Sequence, residues 1–306
     1  MLTPVADGSA CHDAAVSTGR ELPRGVSVGH WTDPDGRTGC TVVLAPDGAV
    51  GGVDVRGAAP GTLNTDGLRP GTVIERVHAV LLTGGSVFGL EAAGGILRHL
   101  EERSVGFPFG PVLMPAVAGA VIFDLLVGDA SARPTRESGQ AACEAATRAP
   151  QVGTVGAGTG ATVAKAGDAS QARPGGVGVA SARAGDATVA AVTVANSVGG
   201  IWDDERHEWV APLTVWDRAS GLFPGANTTL GVVVTDAELT KEQANRVATV
   251  AHDGIARAVR PAHTMYDGDV LFCMATGAAA APYDAVEAVA ADLVARAIAD
   301  GVRAAN

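Results

Sequence analysis

The stretch GLFPGANTTLGVVVT, residues 221–235, joins a turn signal directly to the signal of a buried strand. Pro-Gly and Asn are turn-forming residues, whereas the apolar run at 230–234 is typical of a buried strand. Thr228 and Thr229 stand at the junction of the two. The first interpretation of this sequence is an ordinary turn. A second interpretation is that the strand holds a threonine hydroxyl rigidly enough to act as a nucleophile, which requires a base close by.

Two acidic residues precede another apolar segment further along the chain. Asp267-Gly268-Asp269 runs directly into the predicted strand at 268–276. Asp-Gly favours a hairpin turn, but in an extended segment Asp267 and Asp269 share a face because side chains repeat every two residues. Two carboxylates on one face repel each other unless a cation lies between them.

Two further polar residues stand at the ends of apolar or Gly-rich segments. Asn196 ends the predicted strand at 187–196 and is either a turn former or a side-chain amide donor of the kind used in oxyanion holes. Lys165 is a lone lysine in a Gly- and Ala-rich stretch, where a solvated side chain is the ordinary interpretation.

Periodicity predicts a mixture of strands and helices along the whole chain. The predicted strands lie at 25–31, 38–45, 49–57, 78–85, 121–127, 175–183, 187–196, 230–235 and 268–276, and the predicted helices at 86–103, 138–149, 240–259 and 282–302. Thr240 to Gln243 has the pattern of a capping box. The first ~20 residues are expected to form a loose arm. Antiparallel strands with helices before and after favour an α+β fold, stacked sheets between helical layers, over a βαβ repeat.

Composition excludes several classes of function. The 306-residue chain carries a formal net charge of −11, whereas binding to nucleic acids or anionic membranes depends on basic patches. Its four cysteines show no CxxC spacing, so neither a zinc site nor a disulfide framework is indicated. The N-terminus lacks the features of a signal peptide, and the longest apolar run, at 112–123, is too short to span a bilayer. A cytoplasmic protein is therefore expected.

GAGTGA, residues 156–161, fits the GxGxxA fingerprint of dinucleotide-binding loops. Its context does not fit, because no clear strand precedes it and the acidic residue expected about 20 positions further on is missing. Asp168 comes too early and Asp186 too late. The other interpretation is a Gly-rich loop whose backbone passes close to a neighbour.

From Gly25 onward, nearly the whole chain resembles the self-processing aminopeptidases of the L-aminopeptidase/D-esterase (DmpA-type) family and their relatives, the nylon-oligomer hydrolases. The resemblance rests on RGVSVGH (24–30), LLTGGSVFGLEAAGG (81–95), AVIFDL (120–125), GAGTGATVAKAG (156–167), ANSVGG (195–200), GANTTLGVVVTDA (225–237) and HTMYDGDVLF (263–272). It implies a layered αββα sandwich of the N-terminal-nucleophile hydrolase type, formed by residues 1–306 as a single domain, with neither cofactor nor metal.

Precursors in this family cut themselves before a Ser or Thr, and the new N-terminal residue becomes the catalyst. Carried over to the matching positions, the cut lies between Asn227 and Thr228 and yields chains 1–227 and 228–306. Thr228 matches the family's nucleophile, and Asp267 and Asp269 match the acidic pair that orients it. Because the family's members are typically oligomers of the cleaved protomer, often tetramers, the resemblance also implies a homo-oligomer.

Three further positions match residues near the catalytic centre of the nylon-hydrolase branch. Lys165 and Asn196 match its nearby polar residues, and Asn196 is the better candidate for an oxyanion donor. Some relatives carry Tyr where this chain has Phe123. A phenolic hydrogen bond is therefore absent, and Phe123 is expected only to shape the substrate pocket.

The resemblance gives the turn–strand junction a chemical meaning. Cleavage would create an α-amine on the residue that carries the hydroxyl, and the pKa of such an amine, about 8, lies close to the working pH. The expected activity is hydrolysis of amide bonds through an acyl-enzyme on Thr228, in short peptides, amino-acid amides or nylon-type amide oligomers. The alternatives are acyl transfer of the ornithine-acetyltransferase type, whose other motifs are not seen, and non-catalytic binding of a nucleotide or metabolite through 156–161.

Overall fold

The structure, a computed structural model, describes residues 19–166, 172–213 and 225–306, so the predicted N-terminal arm and part of the loop before Thr228 lie outside it. The helices are α1 (Ala92–Glu102), α2 (Arg136–Glu144), α3 (Lys241–Ala258) and α4 (Tyr283–Ala305). The strands are β1 (Ser27–Asp33), β2 (Thr38–Val55), β3 (Thr62–Leu63), β4 (Arg76–Thr83), β5 (Phe107–Phe109), β6 (Val112–Met114), β7 (Val117–Val121), β8 (Thr162–Val163), β9 (Arg173–Pro174), β10 (Gly176–Ala184), β11 (Ala187–Asn196), β12 (Gly200–Asp203), β13 (Glu208–Ala211), β14 (Thr228–Ala237), β15 (Val259–Arg260) and β16 (Val270–Ala279). Within the described ranges, none of the helices combines the length and the apolar character that crossing a membrane requires.

A nine-stranded sheet organises the molecule. Its strands follow the order β10-β11-β14-β16-β2-β4-β7-β3, and β1 pairs with β2 beside that path. Neighbours are antiparallel except for the parallel pairs β14–β16 and β4–β7. The long strand β2 belongs to both halves of the sheet. Its first part pairs with β1 and β4, and after an irregularity between Leu44 and Ala49 its last part pairs with β16.

Three clusters of buried apolar side chains show how the layers are stacked. Consecutive residues of one strand point to opposite faces. Leu271 accordingly lies in a cluster with α3 and α4, whereas Phe272 lies in a central cluster between the two halves of the sheet. In β2, Val43 faces the same central cluster, whereas Val42 packs with Ile96 of α1 in a third cluster. The order is helices, sheet, sheet, helices, so the predicted αββα layering is confirmed.

The predicted strand at 121–127 is misplaced. Strand β7 ends at Val121, where the prediction begins. The backbone N–H of Ile122 still donates to Thr83, but the Asp124 carboxylate then accepts the backbone N–H of Gly85 at 2.7 Å. This side-chain bond takes the place of a strand ladder, and the chain leaves the sheet there. The segment therefore supplies a loop rather than a strand.

Other predicted elements differ mainly at their ends. The strands predicted at 38–45 and 49–57 are one strand, β2, and a 3₁₀ segment, Ser86–Glu91, precedes α1. The helix predicted at 138–149 stops at Glu144, because Thr147 exchanges backbone hydrogen bonds with Val28 of β1. The capping box predicted at Thr240 is confirmed, and α3 begins at the next residue.

Candidate active site

The register of three strands brings the predicted site residues to one place. Strand β11 ends at Asn196 and β14 begins at Thr228, and these two residues are direct cross-strand partners. Strand β16 runs parallel to β14, and an isolated bridge between Asn227 and Asp267 continues that register, which places Gly268 level with Thr228. Directly opposite residues point to the same face of a sheet. Asn196 and Thr228 are therefore neighbours on that face, and both are buried.

Two donors converge on the carbonyl oxygen of Asn227. The Thr228 hydroxyl donates to it at 2.5 Å, and the backbone N–H of Gly268 donates to it at 2.8 Å. The chain is continuous here, so this is the geometry before any cut. A backbone N–H at this distance can stabilise negative charge that develops on a carbonyl oxygen. The sequence did not reveal this donor, because the glycine between two aspartates was interpretable only as part of a turn.

The absence of a side chain at Gly268 is what leaves room for the Thr228 hydroxyl. A Cβ atom built at Gly268 would lie 2.9 Å from Thr228 Oγ1 and 2.5 Å from the backbone oxygen of Ala59. Real Cβ atoms essentially never approach other atoms that closely. The backbone of this residue can therefore approach the hydroxyl only as glycine.

Asp269 holds the backbone just after Thr228 rather than the Thr228 side chain. Its Oδ1 accepts the backbone N–H of Thr229 at 2.6 Å. Its Oδ2 accepts the backbone N–H of His263 at 3.2 Å and lies 2.7 Å from Nδ1 of the same histidine. The carboxylate therefore fixes the first peptide unit of β14. His263 belongs to a segment that carries the family resemblance, but sequence analysis assigned it no role.

Asp267 is enclosed by donors from two other segments. Its Oδ2 accepts the hydroxyl of Thr264 at 2.6 Å and the backbone N–H of the same residue at 3.0 Å, and its Oδ1 accepts the backbone N–H of Val198 at 3.2 Å. Burial and the nearby charge of Asp269 raise the pKa of Asp267. The Thr228 hydroxyl donates to the Asn227 carbonyl of its own chain and to neither of these two carboxylates.

Lys165 and Asn196 are in direct contact. Lys165 Nζ donates to Asn196 Oδ1 at 2.9 Å and to its backbone oxygen at 3.2 Å. The same Oδ1 accepts the backbone N–H of Thr162, and the Asn196 amide nitrogen donates to the carbonyl of Phe123 at 3.3 Å. Both halves of the Asn196 amide are therefore engaged, and the amide nitrogen does not point at the Asn227 carbonyl in this form. Phe123 itself is half-buried.

Lys165 retains some solvent exposure as a residue, but its amine end is desolvated. Burial lowers the pKa of Lys165 from 10.5 to about 7, and the negative charges of Asp267 and Asp124 oppose that shift. The Lys165 amine therefore interacts electrostatically with Asp267 and with Asp124. In the described chain, no group of three or more His, Cys, Asp or Glu side chains is arranged to hold a metal ion.

Asp124 is a buried carboxylate that sequence analysis missed. It accepts the hydroxyl of Thr38 at 2.7 Å and the backbone N–H of Gly85 at 2.7 Å. Burial raises the pKa of Asp124, and the Lys165 charge acts in the opposite direction. The available signal was a single carboxylate inside the apolar run AVIFDL, directly after Phe123.

The Gly-rich loop at 156–161 does not have the geometry of a dinucleotide-binding loop. Gly156–Gly158 forms one 3₁₀ turn, followed by the two-residue strand β8 rather than by a helix. The backbone N–H groups of Gly156 and Ala157 donate to the hydroxyls of Thr32 and Thr41, so they are already bonded. A Cβ atom at Gly39 would lie 2.3 Å from the backbone oxygen of Gly156. The loop thus lets two backbones pass closely, as the second interpretation proposed.

The layered αββα arrangement is the fold of the N-terminal-nucleophile hydrolases. The model of peptidase family S58 matches residues 24–306, and the chain belongs to this family. The chain is 42% identical to an uncharacterized aminopeptidase of Mycobacterium tuberculosis, over 91% of both chains. It is 34% identical to a 6-aminohexanoate-oligomer endohydrolase of Paenarthrobacter ureafaciens, over 85% of this chain and 76% of the relative.

A solved structure supports the same fold at low sequence identity. The L-aminopeptidase D-Ala-esterase/amidase of Ochrobactrum anthropi, described as a variant of the Ntn-hydrolase fold, matches with a TM-score of 0.69. The match covers 90% of this chain and 83% of that protein at 21% identity, so it supports the fold alone. The family match and the two relatives identify the protein as an enzyme of the peptidase and amidohydrolase type.

Proposed function

We propose that the protein is a self-processing threonine amidohydrolase. It cuts its own chain between Asn227 and Thr228 and then hydrolyses amide bonds through an acyl-enzyme on Thr228. The observation that carries this proposal is the convergence of the Thr228 hydroxyl and the Gly268 N–H on the carbonyl oxygen of Asn227. A nucleophile and a donor for the developing oxyanion thus meet at one peptide bond.

The proposed self-cleavage is an N-to-O acyl shift, and this geometry supports it. Thr228 Oγ1 attacks the carbonyl carbon of Asn227, and the Gly268 N–H stabilises the negative charge on the oxygen. The C–N bond breaks, and the proton lost by the hydroxyl is returned to the leaving amine. The ester that remains between the Asn227 acyl group and Thr228 Oγ1 is hydrolysed by water, which frees both chain ends.

After the cut, Thr228 carries both the nucleophile and its base. The free α-amine accepts the hydroxyl proton as a substrate is attacked. The substrate carbonyl takes the position of the Asn227 carbonyl, opposite the Gly268 N–H. Asn196, the cross-strand partner of Thr228, lies on the same face, and its amide nitrogen becomes a second donor to the oxyanion when it leaves the Phe123 carbonyl. The carboxylates of Asp267 and Asp269 offset the positive charge of the protonated amine.

The names of two relatives indicate which substrates this enzyme hydrolyses. One is called an aminopeptidase and another a 6-aminohexanoate-oligomer endohydrolase. The chemistry that both names have in common is the hydrolysis of an amide bond. We infer that this enzyme hydrolyses short peptides, amino-acid amides or amide oligomers, and that it works as a homo-oligomer of cleaved protomers. Hydrolysis is favoured over acyl transfer to an amine because the whole matched region belongs to a peptidase family.

Intact mass and N-terminal sequencing of the purified protein test the proposal. Active wild-type protein should contain chains 1–227 and 228–306, with Thr228 at the N-terminus of the smaller chain. Thr228→Ala should stay whole and be inactive on an amino-acid p-nitroanilide and on a 6-aminohexanoate oligomer. Thr229→Val is the matched control, since it changes the adjacent buried threonine and should still be cut. An active wild-type enzyme in one piece, or a processed Thr228→Ala variant, would refute the proposal.

A further inference from the structure

His263 makes two polar contacts with the same oxygen of the Asp269 carboxylate. Its ring Nδ1 lies 2.7 Å from Asp269 Oδ2, and its backbone N–H donates to the same oxygen. The other carboxylate oxygen holds the N–H of Thr229, directly after Thr228. One carboxylate thus connects the histidine to the peptide unit beside the proposed nucleophile.

The backbone of His263 is in the left-handed region, with φ of 53°. A residue other than glycine rarely adopts this conformation, and it costs free energy that the surroundings must offset. Here the strained backbone lets the ring and the N–H of one residue reach the same carboxylate oxygen. Strain of this kind is concentrated at functional sites.

A second histidine packs against the first. His252 of α3 is fully buried, and its ring lies 5.0 Å from the His263 ring, centroid to centroid, in an edge-to-face arrangement. Its Nε2 lies 3.0 Å from the backbone oxygen of Asp54. A carbonyl oxygen only accepts, so this nitrogen carries the hydrogen. The ring of His252 is thereby fixed and supports His263 from the side of α3.

The tautomer of His263 follows from the same reasoning. Its Nδ1 faces a carboxylate oxygen, so Nδ1 carries a hydrogen and donates it. Its Nε2 is buried and has no hydrogen-bond partner among the described residues. The bond to Asp269 is therefore the one side-chain hydrogen bond that the described structure gives this ring.

We propose that His263 is a positioning residue: its Nδ1–H fixes the Asp269 carboxylate, which in turn fixes the start of β14 so that the Thr228 hydroxyl meets the Asn227 carbonyl. This inference rests on the proposed function. Hydrogen bonds to a charged group are among the strongest in proteins, and a displacement of about 1 Å at a reacting centre can cost on the order of 10²-fold in rate, so loss of this donor should slow self-cleavage on the order of 10- to 100-fold.

Substitutions at His263 can separate the ring position from the fold. Asn places an amide nitrogen where Nδ1 stands and tolerates a left-handed backbone. Gln reaches the position of Nε2 instead. His263→Asn should therefore be cut at close to the wild-type rate, whereas His263→Gln and His263→Ala should be slow. His207 provides the matched control, because it is exposed, lies outside the site and has φ of 56°.

The experiment follows pulse-labelled full-length chain made by cell-free translation, with the cut fragments separated on denaturing gels. The same three substitutions at His207 should leave the cutting rate unchanged. In an Asp269→Asn background, His263→Gln should slow cutting no further, since the bond that it removes is already altered. Equal rates for His263→Asn and His263→Gln, or additive effects with Asp269→Asn, would overturn the inference. An uncut wild-type chain would overturn the proposed function as well, whereas a normally cut His263→Gln with an uncut Thr228→Ala would overturn this inference alone.

Discussion

Gly268→Ala adds one methyl group at the point where backbone and nucleophile meet. The new Cβ would lie 2.9 Å from Thr228 Oγ1 and 2.5 Å from the backbone oxygen of Ala59, whereas ordinary contact begins at 3.4 Å. The hydroxyl must therefore retreat by about half an ångström and the Ala59 backbone by almost one. The φ of Gly268 is not in the left-handed region, so these two contacts, and not backbone strain, decide the outcome.

The two contacts have separate consequences for stability and for rate. Forcing a methyl group into a packed site costs roughly 1–3 kcal/mol of folding free energy. A loss of this size lowers the stability of the domain but leaves it folded. A displacement of about 1 Å at a reacting centre can cost on the order of 10²-fold in rate. We therefore expect Gly268→Ala to fold and to cut itself roughly 100-fold more slowly than the wild type.

Gly231→Ala distinguishes blocked chemistry from general destabilisation. Gly231 lies in β14, three residues after Thr228. A Cβ atom there would lie 2.7 Å from the Leu271 side chain, away from the Thr228 hydroxyl. Cell-free translation and denaturing gels give the cutting rates, and thermal unfolding of both variants in the uncut Thr228→Ala background gives their stabilities. Normal cutting by Gly268→Ala, or equally slow cutting by Gly231→Ala at similar stability, would refute the reasoning.

Four further substitutions test other parts of the site. Asp267→Asn and Asp269→Asn should each slow cutting by about 10²; rates near the wild type in the same gel assay would leave both carboxylates a purely structural role. Burial lowers the pKa of Lys165 to about 7, so between that pH and the ordinary lysine pKa the unfolded chain binds more protons than the folded one, and this group adds stability as the pH rises. Urea unfolding of uncut Thr228→Ala protein should therefore show a stability that rises from pH 7 to 9.5 by up to roughly 3 kcal/mol relative to the same protein with Lys165→Met. The comparison removes the opposite contribution of Cys40, Cys143 and Cys273, because burial raises the pKa of these thiols in both proteins. Identical pH profiles for the two proteins would mean that Lys165 is charged when folded. Phe123→Tyr should raise kcat/KM on an amide substrate about 10-fold if the added hydroxyl reaches the oxyanion and leave self-cleavage unchanged; a lower kcat/KM would show that the pocket needs the phenyl ring.

Strands and helices with strong periodicity were predictable from the sequence alone. Strands β10 and β11 and helices α3 and α4 lie close to their predicted positions, because each buries one regular face or, in the strands, both. The continuity of β2 was not predictable. Its Asp-Gly pair at 47–48 reads as a hairpin turn, but the strand passes from one half of the sheet to the other there, and tertiary pairing with β4 and β16 overrides the local signal.

The residues of the candidate site also divide into those that were predictable from the sequence and those that were not. The proximity of Thr228, Asp267 and Asp269 was predictable because motif and strand position coincide in the sequence. The Gly268 N–H, the buried Asp124 and the contact of His263 with Asp269 were not predictable, because each depends on which atoms the fold brings together. A backbone donor has no signature in a sequence. The donors that hold the Asp124 carboxylate, Thr38 and Gly85, lie far from it along the chain.

The charges of the uncut site suggest why cutting should be favourable once the fold has formed. Asp267 and Asp269 are both almost fully buried, and burial together with the charge of Asp269 raises the pKa of Asp267. The nearby Lys165 amine acts on Asp267 and Asp124, but desolvation disfavours its own charged form. Cutting at Thr228, as we propose, adds an α-amine beside these carboxylates, and its positive charge relieves their repulsion. The strand register that positions Thr228 therefore also places two buried carboxylates where a positive charge is stabilised. The proposed cut supplies that charge only after the strands have paired, so completion of the active site depends on completion of folding.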